Sequence, residues 1–221
     1  EQVSAREYMT MVNEALINSG GSSKYSEDDI LATERGDDPY NHSYLNWANE
    51  VYKPTYITQH TLNLTGGSEV GRYLVSFDYL DQPGLVKNTE YQRYSYRVNT
   101  DLNIGKMLKV SSDVTYRHID RLWPEALGNV QYDVWSMQPT SPVKYENGDY
   151  RLDKQNRNAI SLMDLDVVGE DRYNMDVVYG QVKVDLEPVK DLVFTGMASL
   201  NGSWDRRKIH YKNHKYYNEA G

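Results

Sequence analysis

"YQRYSYRVNTDLNIG", Tyr91 to Gly105, decides how the rest of the chain is read. From Arg93 the odd positions are Arg93, Ser95, Arg97, Asn99, Asp101 and Asn103, and the even positions are Tyr94, Tyr96, Val98, Thr100, Leu102 and Ile104. Side chains alternate across a strand, so the stretch predicts a long β-strand with one charged face and one largely apolar face. A soluble sheet with one face on a core and one in water shows such alternation, but its strands are usually ~5–6 residues long. A tilted strand of ~9–11 residues crosses the hydrocarbon of a bilayer, and a transmembrane barrel alternates apolar lipid-facing residues with polar lumen-facing ones. One strand does not choose between these environments; its neighbours must.

The neighbours repeat the pattern. "QHTLNLTGG" sets His60, Leu62 and Leu64 against Thr61, Asn63 and Thr65, and "RYLVSFDYLDQPG" sets Tyr73, Val75, Phe77 and Tyr79 against Arg72, Leu74, Ser76 and Asp78. After a tight turn at Gly105-Lys106, "MLKVSSDVTYRH" sets Leu108, Val110, Ser112, Val114 and Tyr116 against Lys109, Ser111, Asp113, Thr115 and Arg117. "DVVYGQVKVDLEP" carries Val178, Val182, Val184 and Leu186 on one face, a short turn at Pro188–Asp191 follows, and "LVFTGMASLNGSW" ends on Trp204. These are six strands joined as a meander. Two of its turns are very short, whereas the connection between the fourth and fifth strands, about Ile119 to Arg172, has no sustained period. Short turns at one end and long loops at the other describe an outer-membrane barrel, and a compact soluble domain rarely carries so long a connection. With the short turns placed inside, Tyr79, Tyr94, Tyr96, Tyr116 and Trp204 collect near the outer end of the apolar face, as an aromatic belt would.

The N-terminal part is helical. Ser4 and Glu7 form a capping box before "AREYMTMVNEALIN", and Gly20-Gly21 stops that helix. Ser26 and Asp29 repeat the device before a helix closed by Gly36. The acidic run Glu27, Asp28, Asp29 suggests calcium, but carboxylates complementing a helix N-terminus are the simpler reading. The expected organisation is thus an outer loop with short helices over 1–58, four strands over 59–118, a long outer loop over 119–172, two strands over 173–204 and the start of a further loop over 205–221.

Composition narrows the function. The 221 residues carry a formal net charge of -8, which disfavours nucleic acid as a partner. Mean hydropathy is -0.75 and no ~20-residue apolar run exists, so no transmembrane helix is expected. Cysteine is absent, which leaves no disulfide framework and no thiolate metal site. Tyrosine is the outlier, 20 against 2 Phe, and its apolar body with a polar tip suits a bilayer interface or a sugar-binding surface. The opening "EQVSAREYM" has neither a Met start nor a signal-peptide pattern. A cytosolic chain or the interior of a longer one would begin so, and the strands favour the interior.

No catalytic constellation, metal centre or cofactor is expected. "GGSEVG" lacks the Lys-Ser/Thr and the helix of a phosphate loop and reads as a turn. His210 and His214 stand four apart but in a segment read as loop, with no acidic third ligand. Arg93, Arg97, Asp101, Lys109, Asp113 and Arg117 are expected to line the lumen as a charge network rather than to do acid–base chemistry. Trp123, Tyr132, Trp135, Tyr145 and Tyr150 are dense for a loop; stacking on a sugar ring, packing within the loop and packing on a partner would all use them.

The stretch Asn46 to Tyr116 also resembles a known family, the SusC/RagA class of TonB-dependent outer-membrane transporters. Trp47 in a short helix, His60 leading a strand that ends in Gly66-Gly-Ser-Glu69, Tyr73 to Ser76, Tyr79 to Gly84 and Tyr91 to Asn99 fall in the order of that family's motifs. "REYMTMVNEA" (6–15) and "QPTSPVKYENGDY" (138–150) are similar to further stretches, with Lys144 inserted where Tyr often follows Val directly. The resemblance implies a barrel of about 22 strands around a plugged lumen. It implies import of a large nutrient, an oligosaccharide before a peptide, with a SusD-like lipoprotein lid and energy from TonB through a plug that precedes the barrel. No plug is read here, so the chain is expected to be a barrel fragment, starting after the first strand and ending within the third or fourth outer loop. A soluble β-rich carbohydrate-binding or adhesin domain is the alternative.

Overall fold

The computed structural model describes residues 3–213 and Tyr216. Six strands form one antiparallel sheet in chain order: β1 Thr58–Gly67, β2 Gly71–Asp81, β3 Glu90–Ile104, β4 Leu108–Pro124, β5 Gly169–Val189 and β6 Leu192–Tyr211. The register carries the alternation from strand to strand, slipping only at an irregularity between Leu186 and Val189 beside the last tight turn. Val75, Val98, Val114, Gly180 and Leu200 lie in one row opposite Leu64, and Phe77, Tyr96 and Tyr116 lie in the next. Since directly paired residues point to the same side, the apolar positions of all six strands share one face. Both faces of most of this sheet are open, and β1 and β6 pair on one side only among the described residues.

Three tight connections close one end of the sheet, at residues 68–70, 105–107 and 190–191. Gly105 and Asp191 adopt the left-handed conformation these turns need, with φ of 66° at each. The other end carries the helices: α1 Ala5–Asn18, α2 Glu27–Arg35, α3 Trp47–Val51, α4 Leu127–Ser136 and α5 Leu165–Val168, with a 3₁₀ turn at Ser161–Met163. Both expected capping boxes form, Ser4 with Glu7 and Ser26 with Asp29, and Gly36 ends α2 in the left-handed region. Glu27 pairs with Arg6 at 2.9 Å, so this part of the acidic run joins α2 to α1.

The hydrophobic core sits among these helices and loops. Trp47 and Val51 of α3 pack with Val130 and Val134 of α4, Met137, Ala159 and Met163. Trp47 Nε1 donates to the Gln138 carbonyl at 3.1 Å, and buried Asn158 donates to the carbonyls of Val143 and Arg151 at 2.8 Å each. The connection over 119–172 is therefore a packed cap and not a structureless loop.

The strands outrun their expected ends. β4 continues to Pro124, β5 starts at Gly169 and β6 reaches Tyr211, so 119–124, 169–172 and 205–211 are strand and not loop. The reason lies in the faces. Along β4 the apolar face runs from Leu108 to Tyr116 and then carries His118 and Asp120, while the charged face takes up Ile119 and Trp123. β5 and β6 invert in the same way, with Asp176 and Arg206 on the formerly apolar side. The contrast between the two faces stops there, although the hydrogen-bond ladder continues. His210 lies in β6 and not in a loop, and His214 falls outside the described residues.

Candidate functional site

The charged face carries a ladder-crossing network. Asp78 on β2 accepts from Gln59 Nε2 at 2.7 Å and Thr61 Oγ1 at 2.9 Å on β1, and from Arg93 Nη2 at 3.0 Å on β3. Arg97 meets Asp113 at 2.5 Å, Asp101 accepts from Ser111 Oγ at 2.6 Å and lies 3.8 Å from Lys109, and Asp185 binds Lys183 and Thr195. Each acid is held by a cation or hydroxyl, which leaves no pair of carboxylates poised for acid–base exchange. Arg93, Arg97, Asp101, Lys109, Asp113 and Arg117 all share this face, and Arg117 makes no ion pair among the described residues. Arg93 and Asp78 are partly buried while the other pairs lie more open to solvent, and what the set fixes is the polarity of the face.

Toward the loop end, the same face holds a denser group. Asp171, buried, accepts from Arg207 Nε at 2.9 Å and Nη2 at 2.6 Å, with Arg121 Nη2 at 3.8 Å. The Arg121 guanidinium lies over Trp123 at 3.7 Å and Tyr173 at 4.9 Å, a cation stacked on two rings. Trp123 is thus a strand residue stacked on arginine and not a member of the loop aromatics. Sequence reading missed Arg121, Asp171, Tyr173 and Arg207, although continuing the period of two past Arg117 would have put Arg121 and Trp123 together.

The remaining expected contact residues separate. Tyr132 and Trp135 lie three apart on α4, opposite its buried Val130 and Val134, and are 69% and 72% exposed. Tyr150 is half-buried, donates to Asp164 Oδ2 at 2.8 Å and lies under Lys144. Burial, with that carboxylate beside it, raises its phenol well above the ordinary tyrosine range. Tyr145 stacks with Arg151 at 5.3 Å. Tyr145 and Tyr150 therefore hold the cap together, whereas Tyr132 and Trp135 are the two that present free aromatic surface.

A polar cleft of about 430 Å³ opens between α1, α2 and the 138–155 segment. Tyr25, His42, Gln138, Thr140, Arg151 and Lys154 contribute to its walls. Tyr25 is fixed by Asn13, whose side chain binds the backbone of Lys24 and Tyr25, and its hydroxyl lies 3.2 Å from Thr140 Oγ1. No spacing in the sequence joins residues so far apart; only the packing of the helices on the loop brings them together. Among the described residues no cluster of three or more His, Asp or Glu is placed to hold a metal.

A six-stranded meander with one charged and one apolar face, tight turns at one end and a folded cap at the other, is a segment of a transmembrane β-barrel. No family model matches the chain. It is 31% identical over 114 residues to the TonB-dependent receptor P26 of Formosa agariphila, covering 51% of this chain and 11% of that protein. It is 34% identical over 68 residues to the TonB-dependent receptor P3 of the same organism, covering 31% of this chain and 7% of that one. The chain thus spans about a tenth of the length of these curated relatives. In fold it is similar to the solved RagAB peptide transporter, with a TM-score of 0.69 at 18% identity over 93% of this chain and 26% of that one. It is also similar to the RagAB peptide importer in its open-open state, with a TM-score of 0.64 at 16% identity over 90% and 25%. The chain thus has the fold of a RagAB barrel segment and is similar in sequence, over half its length, to TonB-dependent receptors.

Proposed function

We propose that the chain is part of an outer-membrane importer that takes up a large hydrophilic nutrient, an oligosaccharide in the first instance, beneath a SusD-like lipoprotein lid and with energy delivered by TonB through a plug. The observation that carries this reading is the division of the sheet into an apolar face and a face of paired charges, kept in register over all six strands. In a closed barrel the first face meets lipid and the second a wet lumen. The tight turns then lie on the periplasmic side and the cap on the cell surface. Arg93, Arg97, Asp101, Lys109, Asp113 and Arg117 line the lumen, and Asp78 and Lys183 extend that lining.

The cap does the recognising. Tyr132 and Trp135 offer two open rings for stacking on a sugar or on the lid, and the polar cleft between α1, α2 and 138–155 offers hydrogen bonds. Trp123, with Arg121 and Tyr173, borders the lumen just beneath. A peptide cargo is the second reading, favoured by the fold's similarity to the RagAB peptide transporter. The test replaces Tyr132 and Trp135 together by Ala in the full-length receptor. Growth on a panel of glycans and of peptides is then measured, with lid co-purification in parallel. Lost growth with the lid retained assigns the pair to cargo, and lost lid assigns it to the partner. Wild-type growth and wild-type lid recovery sink the assignment.

A further inference from the structure

The side of the sheet that bears the apolar face does not become neutral above its aromatic band. Along β6 the residues on that side, after Trp204, are Arg206, Lys208 and His210, and on β5 the facing partners are Asn174, Arg172 and Glu170. Arg172 stands directly opposite Lys208, two like charges across one ladder position, and among the described residues Glu170 alone offsets Arg172 there. Nearby acids are already engaged, and of them Asp176 is within electrostatic reach of Arg206 without forming an ion pair with it. Asp176 accepts from Tyr116 Oη at 2.6 Å and sits 2.8 Å from His118 Nδ1, and Glu170 meets Arg172 at 3.4 Å. Asp120 shares a row with Asn174 and Arg206 but stands two strands away, roughly 10 Å at the ladder spacing. Arg206 and Lys208 have no hydrogen-bond or ion-pair partner among the described residues.

We propose that Arg172, Arg206 and Lys208 form a binding site for the phosphorylated headgroup of a glycolipid in the leaflet around the cap end of the barrel. The site rests on the barrel reading above, which makes this side the lipid side. Its height fits. Two residues along a strand advance ~7 Å, which at a tilt of ~45° is ~5 Å along the membrane normal. Arg206 and Lys208 therefore stand roughly 5 and 10 Å beyond Trp204, where a headgroup layer begins just past an interfacial tryptophan. Acyl chains would pack below on Trp204, Leu200 and Val178, while phosphate oxygens take the guanidinium and ammonium donors above. A diphosphorylated headgroup is wide enough to touch both strands, and it supplies the paired counter-charge that Arg206 and Lys208 lack among the described residues.

The experiment uses the full-length receptor in detergent and a diphosphorylated glycolipid of the lipid A type as probe, with retained lipid counted by native mass spectrometry. Arg206→Gln with Lys208→Gln is expected to weaken retention roughly 25-fold, about fivefold for each cation removed. Arg206→Lys with Lys208→Arg is expected to keep it, and removing the phosphates from the probe is expected to abolish it. Excess inorganic phosphate should not displace the glycolipid; displacement at comparable affinity would make this a free-phosphate site and overturn the lipid assignment. Unchanged retention by a folded, membrane-inserted Gln variant overturns the site alone. A wild-type receptor that does not insert into bilayers overturns the barrel reading and this site with it.

Discussion

Val98 lies mid-strand on β3, between Val75 of β2 and Val114 of β4, on the apolar face. In the intact barrel Val98→Arg is expected to cost about 2–4 kcal/mol, read from the urea midpoint of folding into lipid vesicles. Asn99, its neighbour in sequence, points to the charged face, and Asn99→Arg should fold within ~0.5 kcal/mol of wild type. Gly169 is a different kind of constraint. Its φ is 89°, and a Cβ there would lie 1.9 Å from the His210 carbonyl oxygen. Gly169→Ala should destabilise by more than ~1 kcal/mol and loosen the β5–β6 ladder where it meets the cap, visible as faster amide exchange at the adjoining β6 positions. Asp133, buried on α4, has its carboxyl pushed above the ordinary range by burial, with Arg157 opposing and Asp153 adding to the shift. A carboxyl whose pKa rises on folding stabilises the fold while protonated, and that contribution is lost as pH climbs through the raised value. Asp133→Asn should therefore flatten the pH dependence of cap stability between the ordinary aspartate pKa and the raised one, on the acidic side of the latter.

The elements on which this cap is hung begin with two capping boxes. Ser4→Ala and Ser26→Ala should each cost ~1 kcal/mol of local helix stability, measured by amide exchange in α1 and α2. Hydrogen bonds from Ser4 hold the Glu7 carboxyl below its usual range, and those from Ser26 do the same for Asp29. Their contribution is present above the ordinary pKa near ~4 and lost as pH falls through the depressed values. These helices were legible because both caps and both stops are written in local residue types. The regular stretches of the strands were legible because an apolar face and a charged face alternate there with a period of two. Neither condition holds for α4. It starts without a side-chain cap and contains Gly128 and Asn129, so its apolar stripe of Leu127, Val130, Val134 and Met137 has no local signal to mark where a helix begins. The outer parts of β4, β5 and β6 failed for the opposite reason: the ladder persists, but the two faces lose their contrast. Trp123 was read as a loop residue on that account, and the polar cleft was invisible because packing, not spacing, assembles it.

At the scale of the molecule, and among the described residues, the sheet has an open edge at β1 and another at β6 and an exposed apolar side, while the packed hydrophobic cluster lies in the cap. Unpaired edges and an uncovered apolar stripe make a protein associate. Residues 1–221 made alone in detergent-free buffer should aggregate, and a sharp cooperative thermal transition of a monomer would count against the barrel environment. The most direct test of the central claim, that β3 has lipid on one side and a wet lumen on the other, uses single cysteines. These 221 residues contain none of their own, so in a cysteine-free background of the full-length receptor each position from Arg93 to Ile104 can be spin-labelled in turn. Collision rates with apolar oxygen and with a water-soluble nickel chelate are then compared in lipid bilayers. Labels at 94, 96, 98, 102 and 104 should favour oxygen and those at 93, 95, 97, 99, 101 and 103 the nickel chelate, in strict alternation; equal accessibility at all positions, or the opposite phase, would contradict it.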